Sequence, residues 1–254
     1  MTMLFMKKKY QLERFFVTWL MILFMILTDA FTAFAQVKQA TFLVNGISCD
    51  LEQGILKVEF VTPDVVRVQY TGENTFIGNG TDVCLPRAVD NPVRWVYTPN
   101  PDCYLLKSDS LIVRVDLSTA SITYLDKEGG LLLQEDQNIP RISEKRVTKQ
   151  VIYDEHSKHI EKTADGDKEI KNVLRYDTIG HTWKYRINFK WQPLEALYGW
   201  GAHMEDYMNL RGKELYLCQH NLKAMVPVLN STAGYGLLFD AGCEIGRASC
   251  RERV

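Results

Sequence analysis

Histidine is scarce and scattered in this chain of 254 residues. The five copies (His156, His159, His181, His203 and His220) fall into no recognisable catalytic setting. Five of the six cysteines, Cys49, Cys84, Cys103, Cys218 and Cys243, lie between residues 36 and 243. Their number is odd, and their spacing matches neither a zinc site nor a disulfide-dense scaffold. They read as small buried hydrophobes, and neither a metal nor a cofactor is expected. No basic stripe is present: the formal charge of −1 for the whole chain becomes −4 for residues 36–243 once the basic ends are set aside. A mildly acidic domain of this kind argues against nucleic-acid binding. The middle of the chain also lacks sustained apolar spacing at helical period, low-complexity segments and any repeat of fixed period.

What the middle has instead is alternation. Leu56, Val58 and Phe60 alternate with Lys57 and Glu59, and Thr62-Pro63-Asp64 ends the run. Val66, Val68 and Tyr70 alternate with Arg67 and Gln69, the pattern of a half-buried antiparallel strand. Tyr104–Lys107 and Leu111–Leu117 form a further pair. Ile122–Leu125, the turn Lys127-Glu128-Gly129-Gly130 and Leu131–Leu133 predict a hairpin. Val147–Tyr153, His159–Lys162 and Ile170–Tyr176 predict long solvent-facing strands around a turn at 164–167, and Lys184–Trp191 directs Tyr185, Ile187 and Phe189 inward. Many short strands with regular turns predict an all-β fold, an antiparallel β-sandwich.

The two ends differ from the middle. Lys7-Lys8-Lys9, the apolar run Phe15–Leu27 and Ala33-Phe34-Ala35 form an export signal with a cleavage site after Ala35. The run is shorter than the roughly 20 apolar residues that span a bilayer, which disfavours a retained anchor. Membrane contact is therefore expected only through the signal peptide, and the protein is expected to be exported, periplasmic or extracellular. Residues 244–254 abandon the strand pattern and resemble the translation of a sequencing-library adapter. The expected organisation is a signal peptide over 1–35, a β-sandwich domain over 36–243 and a non-native tail over 244–254.

From Leu197 to Cys243 glycines, aromatics and short apolar runs combine in one strand–turn–strand–loop–strand unit. Gly212 follows Asn209-Leu210-Arg211, a turn that needs a residue tolerant of positive φ. Tyr198-Gly199-Trp200-Gly201, the turn Asn209–Lys213, the polar loop Gln219–Asn221 and the run Gly234–Asp240 together resemble glycoside hydrolase family 31, the α-glucosidases and α-xylosidases. The departure is Ala202, where the family usually has glutamate. The resemblance implies the N-terminal galactose-mutarotase-like β-sandwich (a supersandwich) of a retaining enzyme. Such enzymes use two carboxylates flanking the glycosidic bond, and in this family both belong to a C-terminal TIM barrel. No residue of this chain is therefore assigned as nucleophile or acid. The chain is expected to end before the barrel and to be inactive alone, its partners being that barrel and an α-linked oligosaccharide.

By the same resemblance, the loop holding Gln219, His220 and Asn221 reaches the sugar pocket. Amide side chains suit this work because each offers both a donor and an acceptor to hydroxyl groups. The competing reading is a loop whose polar groups cap its own turn. Glu205 and Asp206 read as a solvated turn or as partners of Arg211 or Lys213, and His203 as structural. Two rival readings are epimerase chemistry by a histidine–glutamate pair and a free-standing carbohydrate-binding module. The module would stack sugars on Trp95, Trp183, Trp191 or Trp200, although aromatics in a sandwich are more often core. The sequons at Asn79 and Asn230 read as coincidence beside a bacterial-type export signal.

Overall fold

The computed structural model describes residues 36–76, 92–139, 141–164, 166–217 and 223–240, together with the backbone of 247–249. Antiparallel strands dominate, as the alternation requires. The first sheet is a meander of β1 (Val37–Leu43), β2 (Gly46–Leu51), β3 (Ile55–Thr62) and β4 (Val65–Thr71). The second contains β5 (Trp95–Pro99), β6 (Cys103–Ser108), β7 (Leu111–Asp116), β8 (Ile122–Asp126) and β9 (Leu131–Glu135), closed at its far edge by β14 (Phe189–Lys190).

The two sheets share one apolar core. Leu56, Val58 and Phe60 point inward from β3, and Ile47, Cys49 and Leu51 do so from β2. They meet Leu106, Val113, Val115 and Ile122 of the second sheet. Each such side chain contributes about 1.5–3 kcal/mol by leaving water. Cys49 and Cys103 are buried, as expected of small hydrophobes, and are free cysteines, whereas Cys84, Cys218 and Cys243 lie outside the described residues. Burial, helped by the charge of Asp50, pushes the Cys49 thiol up to about 12.

The expected hairpin at 127–130 joins β8 to β9. Asp126 Oδ1 accepts from the amides of Glu128 (3.0 Å) and Gly130 (2.7 Å), and Gly129 supplies a φ of +92°. The turn before it is held by Asp116, whose Oδ1 accepts from the amides and hydroxyls of both Ser118 and Thr119. Burial alone would raise this carboxyl, but the four hydrogen bonds outweigh it and hold the group below its ordinary value.

A second core joins the β8–β9 edge to a three-stranded sheet of β15 (Leu197–Ala202), β17 (Ala224–Ser231) and β18 (Gly236–Leu238). Leu133, Trp191, Leu197, Trp200, Leu215 and Leu229 fill it. Tyr124 packs against both cores and couples them. The short β16 (Glu214–Tyr216) pairs antiparallel with β19 (Arg247–Ser249), so part of the segment set aside as a tail is hydrogen-bonded into a sheet.

The charged middle forms a ribbon of β10 (Ile142–Tyr153) and β13 (Val173–Arg186). At about 3.3 Å per residue it is roughly 40 Å long. Its distal end carries the hairpin of β11 (His159–Thr163) and β12 (Gly166–Ile170), with a 3-10 turn at Glu155–Ser157 leading into it. The solvent-facing character expected here holds, since most ribbon side chains are exposed.

Two sequence expectations fail in this region. Ile170–Tyr176 is not one strand: β12 stops at Ile170 and β13 starts at Val173. Asn172 forms the corner between them, its amide bonded to Ser157 Oγ and its carbonyl to the Asp154 amide. Nor do Tyr185 and Ile187 point into a core. They are 50% and 36% exposed, because β13 ends at Arg186 and the chain turns before Phe189 re-enters the sheet. Tyr185 lies at the ribbon root instead, beside Trp183 and Tyr70.

Candidate functional site: the glycine–tryptophan bulge and its neighbours

Tyr198-Gly199-Trp200-Gly201 forms a bulge in β15. Gly199, Trp200 and Gly201 all have positive φ (130°, 62° and 92°), and the pairing with β17 shifts register between the two glycines. Both glycines are required by space as well as by φ. A Cβ on Gly199 would lie 2.2 Å from the Val228 carbonyl oxygen, and one on Gly201 would lie 2.0 Å from that of Ala224. Trp200 has no such freedom, and a left-handed non-glycine residue costs about 1–3 kcal/mol. Burial offsets this: the indole is 4% exposed and packs on Phe239 at 5.2 Å between ring centroids, worth on the order of 3 kcal/mol. Ala202, where the resembled family has glutamate, pairs with Ala224 at the strand end and is exposed.

The bulge is held from behind by a residue that sequence reading missed, the buried Glu195. Its Oε1 accepts from Ser231 Oγ and Tyr235 Oη, and its Oε2 accepts from the Gln192 amide at 2.6 Å. Burial, together with the bond to Glu195, pushes the Tyr235 phenol well up. Arg211 donates from Nη1 to the carbonyls of Gln192 (2.5 Å) and Glu195 (3.1 Å). Asn209 Oδ1 caps the amides of Leu197 (3.2 Å) and Arg211 (3.0 Å), and Gly212 takes the left-handed φ of +75° that its turn demands. Only the Gln192-Pro193 break could have drawn attention to Glu195, because the network assembles residues up to 40 positions apart.

Just past β15 in sequence, Glu205 pairs with Lys223 rather than with Arg211 or Lys213. The Lys223 hydrogen bond draws the Glu205 carboxyl below its ordinary value. Lys213 instead lies over the Tyr207 ring, 4.4 Å from its centroid. Among the described residues, three buried side-chain atoms at this site have no hydrogen-bond partner: Trp200 Nε1, His203 Nε2 and Glu205 Oε2. Met204, Tyr207 and Met208 beside them are 60%, 43% and 82% exposed.

Gln219, His220 and Asn221 lie outside the described residues. The flanks of their loop are fixed: Leu217 is 1% exposed in the second core, and Lys223 bonds Glu205. None of the four tryptophans weighed as stacking platforms is free. Trp191 and Trp200 are buried. Trp95 packs against the first core and donates to the Val44 carbonyl. Trp183 donates to Glu73 and lies between Lys145 and Tyr185. His156, His159 and His181 are exposed. Among the described residues no group of three or more His, Cys, Asp or Glu could hold a metal ion.

Comparisons with known proteins agree with this architecture. Residues 55–245 match the family model of the glycosyl hydrolase 31 N-terminal galactose mutarotase-like domain. An uncharacterized family 31 glucosidase of Pseudescherichia vulneris is 37% identical over 70 residues, which are 28% of this chain and 13% of that protein. Among solved structures, an α-xylosidase from a soil metagenome superposes with a TM-score of 0.59 at 17% identity, covering 84% of this chain and 29% of that one. The α-xylosidase of Xanthomonas citri gives 0.55 at 18% identity, covering 78% and 18%. A dextranase of Flavobacterium johnsoniae gives 0.55 at 14%, covering 82% and 22%. At these identities the superpositions speak to the fold, and the chain spans less than a third of each of these relatives. The match over 55–245 takes in the second core, most of the first and the bulge, and the chain belongs to the family of glycosyl hydrolase 31 N-terminal galactose mutarotase-like domains.

Proposed function

We propose that this chain is the N-terminal structural and carbohydrate-binding domain of an exported, retaining α-glycoside hydrolase acting on α-glucosides or α-xylosides. The observation that carries the reading is the family match over residues 55–245, and the names of the relatives, glucosidase and α-xylosidase, supply the substrate class. Hydrolysis belongs to two carboxylates on a C-terminal barrel. The sandwich packs on that barrel and completes its pocket with the loop of Gln219, His220 and Asn221. The residues at and just after the bulge support the arrangement: three buried polar atoms without partners among the described residues, close in sequence to exposed Met204, Tyr207 and Met208, are what a surface completed by another domain would present. The amino-terminal basic and apolar pattern supports export.

In the enzyme carrying its barrel, Gln219→Ala and Asn221→Ala each remove hydrogen bonds to substrate hydroxyls. Each is expected to raise KM for an aryl α-xyloside or α-glucoside by about tenfold, equivalent to roughly 1.4 kcal/mol, with kcat changed less. Unchanged KM in both variants would contradict the role given to the loop.

A further inference from the structure

Among the described residues five buried polar side-chain atoms lack partners, and the two outside the bulge, Arg141 Nε and Asn188 Nδ2, belong to residues lining one small cavity. Arg141 directly precedes β10 and Asn188 directly precedes β14, so the cavity sits at the root of the ribbon. Arg141 is 9% exposed. Its Nη2 meets Glu135 Oε1 at 2.6 Å and its Nη1 meets the Ala120 carbonyl at 2.9 Å, and Nε is the one guanidinium nitrogen without a partner. Asp136, Thr119 and Ser121 also line the space.

The contents follow from donor count, charge and size. Two N–H groups, one of them on a guanidinium, exclude a cation. An anion would face the carboxylates of Glu135 and Asp136, with the Arg141 charge already matched by Glu135. The cavity measures about 10 Å³, close to the roughly 10–15 Å³ that one water molecule needs. Water can accept two hydrogen bonds and donate two. We infer that one ordered water molecule fills this cavity, accepting from Arg141 Nε–H and Asn188 Nδ2–H and donating to Asp136 and to a hydroxyl of Thr119 or Ser121. It joins the points where the two strands of the ribbon leave the sandwich, adding to the 2.9 Å bond from the Asp136 amide to the Asn188 carbonyl.

The test is a high-resolution crystal structure of the chain, with a second crystal soaked in bromide. The inference expects one density peak within about 3.2 Å of both nitrogens and no anomalous signal from bromide there. It also expects loss of the peak in Asn188→Leu, which fills the space without offering a donor. Three results would overturn it. One is an anomalous bromide peak in the cavity. Another is an empty cavity with Asn188 turned so that its Oδ1 takes the Arg141 Nε–H directly. The third is a peak that persists unchanged in the leucine variant.

Discussion

Gly201 and Gly199, like Gly54, each combine positive φ with a carbonyl oxygen where a Cβ would stand. Gly201→Ala is expected to destabilise the domain by about 2–4 kcal/mol, read as a lowered urea midpoint, while Gly212→Ala, which meets open space, costs only the φ strain of about 1 kcal/mol. Equal losses in the two variants would show that crowding at the bulge has no weight. Asp116 gives a pH-dependent case. Its folded pKa lies below the unfolded value near 3.9, so its contribution is present above about pH 4 and fades as pH falls through the folded value. Asp116→Asn is expected to cost about 1–2 kcal/mol at pH 7, and the gap from the parent should close on acidification. A third residue, Cys49, is buried with its thiol pushed up to about 12. It should resist alkylation in the native protein and react on unfolding; native labelling at Cys49 would contradict the packing described. The turn role of Gly212 was legible from Asn209-Leu210-Arg211-Gly212, but Glu195 was not. Its partners Ser231 and Tyr235 become neighbours only through the pairing of β15, β17 and β18.

Strands whose two faces differ were the elements most readable in advance. Leu56, Val58 and Phe60 alternate with charges and became the buried face of β3, and Gly129-Gly130 marked the β8–β9 turn because only a glycine-tolerant φ closes it. Alternation stops reporting burial where it continues past the core. Tyr185 and Ile187 keep period two, but Tyr185 belongs to a ribbon strand that ends at Arg186, before Ile187, and local pattern holds no information about which sheet a strand joins or where it stops. Hydrogen exchange should separate these elements. Amides of β3 and β7, packed in the first core, are expected to exchange only with global unfolding. Those of β11 and β12, whose side chains are nearly all exposed, are expected to exchange orders of magnitude faster. Comparable protection in the two groups would mean that the ribbon tip is covered.

Across the whole molecule, the family was readable from Tyr198–Gly201, Asn209–Lys213 and Gly234–Asp240 because those positions are held by backbone geometry, which tolerates few substitutes. The substrate was not readable in the same way. The proposed recognition of hydroxyls falls to Gln219, His220 and Asn221, and three polar side chains on a loop are compatible with many sugars. The account rests on a division of labour, with scaffold and one pocket loop in this chain and the reacting carboxylates elsewhere. Hydrolysis of aryl α-xylosides and α-glucosides, measured side by side for this chain and for a polypeptide extended to include the proposed C-terminal barrel, tests it most directly. The account predicts release of aryl alcohol by the extended protein and none above background by this chain. Turnover by this chain alone, retained after purification to homogeneity, would contradict it.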